Sequence, residues 1–249
     1  MDSTNSNLGA RMANETSGNL RTLLTSFLSD GNNQHLQSLA NPLVTVLLPT
    51  FNRASCLDGA IQSVINQSYA EWELIIIDDG STDETQNVLL KYFSHPRIQI
   101  VKTENRGQAA ALNYGLAIAH GEYVAFLDSD DEYLPNHLQV LVDCCRGHDG
   151  VLGKFELSLN PNEPVPVVRD FYRPNTTIPV TEIECITGVL FGKRRLFMDI
   201  GGFRNVKSTD TDMYTRLKSQ GYDWVYANVP TYHYFFGRFP NSVAIQERI

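Results

Sequence analysis

Four short apolar runs alternate with helical stretches, and each run ends in a polar segment; no other feature of this sequence constrains its fold as strongly. Val44-Thr45-Val46-Leu47-Leu48 ends at Pro49, and Glu73-Leu74-Ile75-Ile76-Ile77 stops at Asp78-Asp79-Gly80. Ile98-Gln99-Ile100-Val101 follows, and Tyr123-Val124-Ala125-Phe126-Leu127 runs straight into Asp128. Continuous β-branched runs suit strands buried on both faces, as in parallel sheets. Residues 55–66, 81–93 and 107–119 between them read as helices. Ser81 stands three residues before Glu84, the spacing of a capping box that would open the second helix. The alternation predicts an α/β fold with a mostly parallel, Rossmann-like sheet flanked by helices. In such open sheets ligands bind outside the carboxyl ends of the strands. The segments around Thr50, Asp78, Arg106 and Asp128 therefore line one crevice.

Later in the chain, Pro135 at a first helical position predicts a helix to Cys145. Residues 160–179 read as loops or edge strands. Apolar order returns at Thr187-Gly188-Val189-Leu190-Phe191. A helix over 209–220 is stopped by Gly221, and 222–229 reads as a last strand followed by an aromatic tail. Residues 1–41 form a polar extension rich in Ser, Asn and Thr, with helical apolar spacing over 20–28. That spacing suits a helix packing back on the domain better than a membrane or partner anchor. Residues 42–249 read as a single domain.

Charge and composition narrow the function. A formal net charge of -8 argues against coating nucleic acid or an anionic membrane. No run of about 18 apolar residues exists to span a membrane, and the start lacks the basic and apolar parts of a signal peptide. Cys56, Cys144, Cys145 and Cys185 show no Cys-x-x-Cys spacing and read as reduced thiols. The expectation is a cytoplasmic protein, with peripheral attachment at the inner face of the membrane left open. Neither Gly-x-x-x-x-Gly-Lys nor Gly-x-Gly-x-x-Gly follows the first strand, which weakens ATPase and dehydrogenase readings.

The acidic segment Asp128-Ser129-Asp130-Asp131 carries the most chemistry. Three carboxylates packed at a strand end repel one another and call for a cation. Hard oxygen ligands suit Mg²⁺ or Mn²⁺, which keep positions open for phosphate oxygens. The bland alternative is a solvated acidic turn. Asp78-Asp79-Gly80-Ser81 can receive a base N–H or cap a helix, and Thr50 to Arg53 with Asn105-Arg106-Gly107 supply donors for base, ribose or phosphate. In Thr209-Asp210-Thr211-Asp212, Asp210 at a helix start can act as a general base. Helix capping, with Arg216 paired to Asp212, is the alternative. His233 reads first as a packed histidine and second as completing a metal's shell.

Taken in order, Val44 to Arg53, Ile77-Asp78-Asp79-Gly80-Ser81-Thr82-Asp83, Asn105-Arg106-Gly107 with Ala110, Asn113 and Gly115, and Leu127-Asp128-Ser129-Asp130-Asp131 resemble the inverting family 2 glycosyltransferases of GT-A fold. Gly201-Gly202-Phe203, Gly221-Tyr222 and Pro240-Asn241-Ser242 are similar to that family's later segments, so the resemblance covers about residues 42–240. It implies a nucleotide-binding half over 42–135 and an acceptor and catalytic half over 136–249, the latter a mixed region. Thr50, Phe51, Arg53, Asp78, Asp79, Arg106 and Asp128 match nucleotide-side positions. Asp130, with Asp128 and His233, is implied at a Mn²⁺ or Mg²⁺ ion, and Asp131 as an assistant. Asp210 matches the catalytic base, although Thr209 stands where Glu is common; Asp212 is the fallback. The implied reaction is inverting transfer from a nucleotide-diphosphate sugar to a hydroxyl of a sugar or glycan, in glycan or polysaccharide synthesis. UDP is favoured, with GDP and dTDP open. The competing classes are a sugar nucleotidyltransferase, which would show a Gly-rich basic loop after the first strand, and a nucleotide-sugar-binding protein of the same fold without activity.

Overall fold

Val44, Val46, Leu47 and Leu48 are fully buried, as are Leu74 to Ile77, because strands β1 (Val44–Thr50) and β2 (Trp72–Asp78) are covered on both faces. The computed structural model describes residues 41–159, 165, 167–169, 177–179, 181, 186–206 and 208–235. The described residues from Leu43 onward belong to one compact unit. The extension over 1–40, the helix expected over 20–28, Cys185 and the segment Pro240-Asn241-Ser242 lie outside the described residues.

Strands β3 (Ile98–Lys102) and β4 (Tyr123–Phe126) complete a parallel quartet in the order β3-β2-β1-β4. The register sets Thr50 beside Asp78, and Asp78 beside Lys102. Helices α1 (Leu57–Ile65), α2 (Thr85–Leu90) and α3 (Gln108–Ile118) make the crossovers. α3 lies against β1 and β2, with Gly115 backed onto Leu47 and Ile77. This half follows the alternation of the sequence, because strands covered on both faces are predominantly apolar.

Beyond β4 the sheet becomes mixed. It continues through β9 (Leu190–Lys193), β6 (Gly150–Ser158), β10 (Trp224–Phe235) and the edge strand β5 (Glu132–Tyr133). β9 runs antiparallel to both β4 and β6, while β6 and β10 are parallel. Helix α4 (His137–Cys145) packs on β6 and β10. Helix α5 (Arg194–Asp199) follows β9, and α6 (Thr209–Ser219) precedes β10. A separate two-stranded piece pairs β7 (Val167–Arg169) with β8 (Thr177–Pro179). Among the described residues, no helix is long and apolar enough to cross a membrane.

Several expected boundaries move, each for a local reason. The capping box at Ser81 and Glu84 does not form: the Ser81 hydroxyl accepts from Asn52 N–H (2.9 Å), and the helix starts at Thr85. Pro135 is not the first helical residue, since α4 starts at His137 after Asn136. The last strand runs to Phe235 and absorbs the supposed aromatic tail, with register shifts around Pro230 where proline cannot donate to the ladder. β6 lies in the region without readable motif, because its exposure alternates and weakens the apolar signal.

Asn113 ties the two halves of the fold together. Its side chain donates to Phe203 O (2.8 Å) and accepts from Phe203 N–H (2.7 Å), acting as a strand edge for the Gly201-Gly202-Phe203 turn. Gly202 sits at φ +71°, and a Cβ there would fall 2.3 Å from Asn113 Oδ1, so only glycine fits. Phe203 and Phe197 then meet Phe126 edge-on, at centroid distances of 5.2 and 5.1 Å.

Candidate active site

Three loops at the carboxyl ends of β1, β2 and β3 are bonded to one another by side chains. Asn52 takes a left-handed conformation (φ 52°), which Asn tolerates better than most residues. Its Oδ1 accepts from Thr82 N–H (2.8 Å) and Asp83 N–H (3.3 Å). Arg53 N–H donates to Thr85 Oγ1 (2.9 Å), and Ala54 N–H to Asp83 Oδ2 (3.2 Å). Asp78 Oδ1 accepts from Ser81 N–H at 2.9 Å, and Asp78 itself is buried. Asp79 accepts from Thr103 Oγ1 (3.2 Å), Arg106 N–H (3.0 Å) and Gly107 N–H (2.7 Å). Those bonds use most of the acceptor capacity of a carboxylate, so Asp79 sets the β3–α3 loop whatever else it does.

The remaining donor-side candidates differ in exposure. Phe51 is 40% exposed at the tip of its loop. Arg106 presents its side chain to solvent beside Glu104 (3.0 Å). Thr50 is buried at the end of β1, and its hydroxyl has no hydrogen-bond partner. A buried unsatisfied hydroxyl is costly in a finished core and is understandable at the floor of a binding site.

The acidic segment forms a turn after β4, closed by Asp131 N–H to Asp128 O (3.1 Å). Gln108, the first residue of α3, donates to Asp128 Oδ1 (2.8 Å), and an Arg53 guanidinium nitrogen lies 3.8 Å from Asp130 Oδ2. Burial, then the charges of Asp130 and Asp210, push the Asp128 pKa up to about 7, while Arg53 and the Gln108 bond act the other way. The charges of Asp130 and Asp210 thus both act on Asp128. Burial, then the charges of Asp131, Asp128, Asp130 and Asp210, push the Tyr234 pKa up as well. A pair of mutually repelling hard-oxygen donors fits a divalent cation, since Mg²⁺ is commonly held by one or two carboxylates together with substrate phosphates.

Asp131 and His233 make their contacts elsewhere. Both oxygens of Asp131 bond to β10, from Tyr232 OH (2.8 Å) and Phe235 N–H (2.9 Å). His233 stacks on Phe235 at 4.1 Å and sits 2.6 Å from Ser158 Oγ. Residues alternate across a strand, and the face of Tyr232 and Tyr234 is the one turned to the acids. Among the described residues, no group of three or more His, Cys, Asp or Glu side chains forms a ready cage for a metal.

Across the crevice, Asp210 and Asp212 occupy the first turn of α6, after Ser208 at φ 54°. Asp212 accepts from Arg216 Nε (2.8 Å), and Arg216 also donates to Ile200 O (3.0 Å) and Gly202 O (2.8 Å). Asp212 thus anchors α6 to the glycine turn. Asp210 Oδ1 accepts from the neighbouring Thr211 N–H (2.7 Å), and Thr209 holds the preceding loop through Val206 O (2.9 Å). Gln108 and Tyr232 were not legible as site residues. Strand alternation along Thr231-Tyr232-His233-Tyr234 is the signal that could have found Tyr232.

A parallel strand quartet with polar loops at its carboxyl ends, an acidic turn after the fourth strand and a second acid across the crevice together define the GT-A class. Residues 45–201 match the family model described as glycosyl transferase family 2, and the chain belongs to that family. It is 34% identical over 156 residues to the Escherichia coli enzyme named UDP-Glc:alpha-D-GlcNAc-diphosphoundecaprenol beta-1,3-glucosyltransferase WfgD. That match covers 59% of this chain and 60% of the relative, so the chain spans less than two thirds of that relative's length. The fold is similar to that of S. aureus TarS 1-349 in complex with UDP-GlcNAc, with a TM-score of 0.62 and 20% identity over 78% of this chain and 58% of the other. It is also similar to the mannosyltransferase PcManGT from Pyrobaculum calidifontis in complex with GDP-Man and Mn2+. There the TM-score is 0.60 and the identity 25%, over 80% of this chain and 59% of the other.

Proposed function

We propose that this chain transfers a sugar from a nucleotide-diphosphate sugar, UDP-linked by preference, to a hydroxyl of a sugar or glycan acceptor, with inversion at the anomeric carbon. The observation that carries the reading is the acidic turn after β4, where Asp128 bonds Gln108 (2.8 Å) and Asp130 lies 3.8 Å from Arg53 of the β1 loop. A Mn²⁺ or Mg²⁺ ion held by Asp130 and Asp128 would offset charge developing on the diphosphate leaving group. Mn2+ accompanies GDP-Man in the PcManGT complex, and TarS is in complex with UDP-GlcNAc; the two support this choice of cofactor and donor.

The chain's own residues supply the rest. Thr50, Phe51 and Asp78 take the nucleoside side, and Asp79 holds the loop that carries Arg106. Arg53, already beside Asp130, faces the diphosphate. Asp210 accepts the proton of the acceptor hydroxyl as that oxygen bonds to the anomeric carbon and the carbon–diphosphate bond breaks. The interlocked loops hold the donor in place, so orientation contributes much of the rate.

A thermal-shift panel tests the reading, with UDP, GDP, dTDP and their sugars measured with and without Mn²⁺. A ligand that binds the folded state raises Tm by mass action. A UDP compound with Mn²⁺ should raise Tm more than either alone, and no shift with any nucleotide would overturn the proposal.

Two variants separate the acids of α6. Asp210→Asn should lower donor turnover in the presence of acceptor by about 10²-fold, the scale of general-base catalysis, with Tm nearly unchanged. Asp212→Asn should instead lower stability by about 1–3 kcal/mol, because a charged bond to Arg216 is lost. The folded Asp212→Asn protein should keep its turnover. The opposite pattern would make Asp212 the base.

The pH dependence follows from Asp128. Its pKa rises on folding from an ordinary 3.8 to about 7. Between those values the native state holds a proton that the unfolded chain has released, so stability falls as pH rises through that window. Metal-free protein in EDTA should lose Tm from pH 4 to pH 7, as far as this group contributes, and Asp128→Asn should flatten the slope.

A further inference from the structure

The acidic turn rests on a buried support. Tyr232 is fully buried, and its hydroxyl donates to Asp131 Oδ2 (2.8 Å) while accepting from Asp128 N–H (3.3 Å). One oxygen atom therefore grips the first and last residues of the turn. Asp131 is 1% exposed, and its other oxygen accepts from Phe235 N–H (2.9 Å).

The ring of Tyr232 is wedged. Gly188 lies so close that a Cβ added there would fall 2.0 Å from Cε2 of the ring. Tyr133 meets the ring edge-on at 5.7 Å, and the Tyr133 hydroxyl donates to Phe126 O (2.6 Å) at the end of β4. His137 stands at 5.9 Å and is held through Thr231 Oγ1 (2.9 Å). The hydroxyl thus has a fixed position, set by packing on several sides.

We propose that Tyr232 and Asp131 are a positioning pair that sets the geometry of Asp128 and Asp130, and that Asp131 serves the site through this contact and not as a metal ligand. The metal part of this inference rests on the function proposed above. Turning this buried carboxylate toward an ion would disturb its bonds to Phe235 N–H and the Tyr232 hydroxyl, at the cost of weakened hydrogen bonds in a buried site. The same contacts join the turn to the end of β10, so the metal-binding acids and the last strand keep one register.

Tyr232→Phe keeps the ring against Gly188 and removes both hydroxyl bonds. Amide exchange at Asp128 and Asp131 should quicken by about fivefold, the factor for one lost hydrogen bond of ordinary strength. Mn²⁺ affinity, read by EPR in the presence of UDP at a temperature where the variant is fully folded, should fall by a similar factor. A lower Tm with exchange and Mn²⁺ affinity unchanged would mean packing alone and would overturn the pairing. Asp131→Asn covers the case in which Tyr232→Phe fails to fold; it should weaken Mn²⁺ binding only partly and quicken exchange at the same amides. Complete loss of Mn²⁺ binding in Asp131→Asn, with Tyr232→Phe at wild-type affinity, would make Asp131 a direct ligand and overturn the proposal. If wild type binds neither Mn²⁺ nor UDP, the donor-site reading fails, and quickened exchange in Tyr232→Phe would still support the clamp.

Discussion

Asp130→Ala should lower donor turnover, measured as nucleoside diphosphate release, by about 10³-fold, the upper range for removing one electrostatic stabiliser of a transition state. Stability should hold or rise. Asp130 contributes to the repulsion that pushes the Asp128 pKa up, so its removal eases a strain in the metal-free protein. Its ion pair with Arg53, at 3.8 Å, is longer than a hydrogen bond and works against that gain. Tm in EDTA and Mn²⁺ affinity in the presence of UDP are the companion measurements. A variant as active as wild type, with the same Mn²⁺ affinity, would show that the cation sits elsewhere. A proposed metal ligand whose loss leaves the fold as stable or more so is what a site selected for function predicts.

The second large effect is structural. Gly188→Ala should destabilise the domain by about 3 kcal/mol, the high end for overpacking, in chemical denaturation. The added methyl would meet Cε2, Cζ and the hydroxyl oxygen of Tyr232 at 2.0, 2.1 and 2.3 Å. These atoms belong to a ring pinned at its hydroxyl, so small rotations do not relieve the contact. Shrinking the ring should help: Gly188→Ala combined with Tyr232→Leu should cost less than the sum of the two single changes. Strict additivity would mean that Gly188 acts through its backbone and not through the ring.

The donor half was legible because its strands are buried on both faces. Val44 to Leu48 and Leu74 to Ile77 admit one reading, and the order of their polar ends gives the crevice. Asp128 and Asp130 were legible for the same reason, as charge packed at the end of such a strand. The acceptor half was harder. β6 is buried at its start and half-exposed beyond, and β10 has irregular exposure with register shifts at Pro230, so their periods blur. α5, with six residues, is too short for a helical repeat to emerge. The Arg216–Asp212 pair, at i,i+4 spacing, was legible, whereas the role of Asp131 depends on a partner distant in sequence. Asp131 bonds to Tyr232, and Arg216 on α6 bonds both to Asp212 and to the carbonyls of Ile200 and Gly202. His233 lies beside an aromatic that shares its face, a proximity that composition does not reveal.

The interlocking of the loops after β1, β2 and β3 limits how this half of the molecule can change over time. Asn52 Oδ1 reads the backbone of Thr82 and Asp83, Thr85 Oγ1 holds the backbone of Arg53, and Asp79 holds that of Arg106 and Gly107. Each loop measures the length of its neighbour. One residue inserted between Gly80 and Asp83 would unseat Asn52 and move Arg53 with it. Descendants of this sequence can vary here by substitution, but length changes are closed to them unless several loops change together.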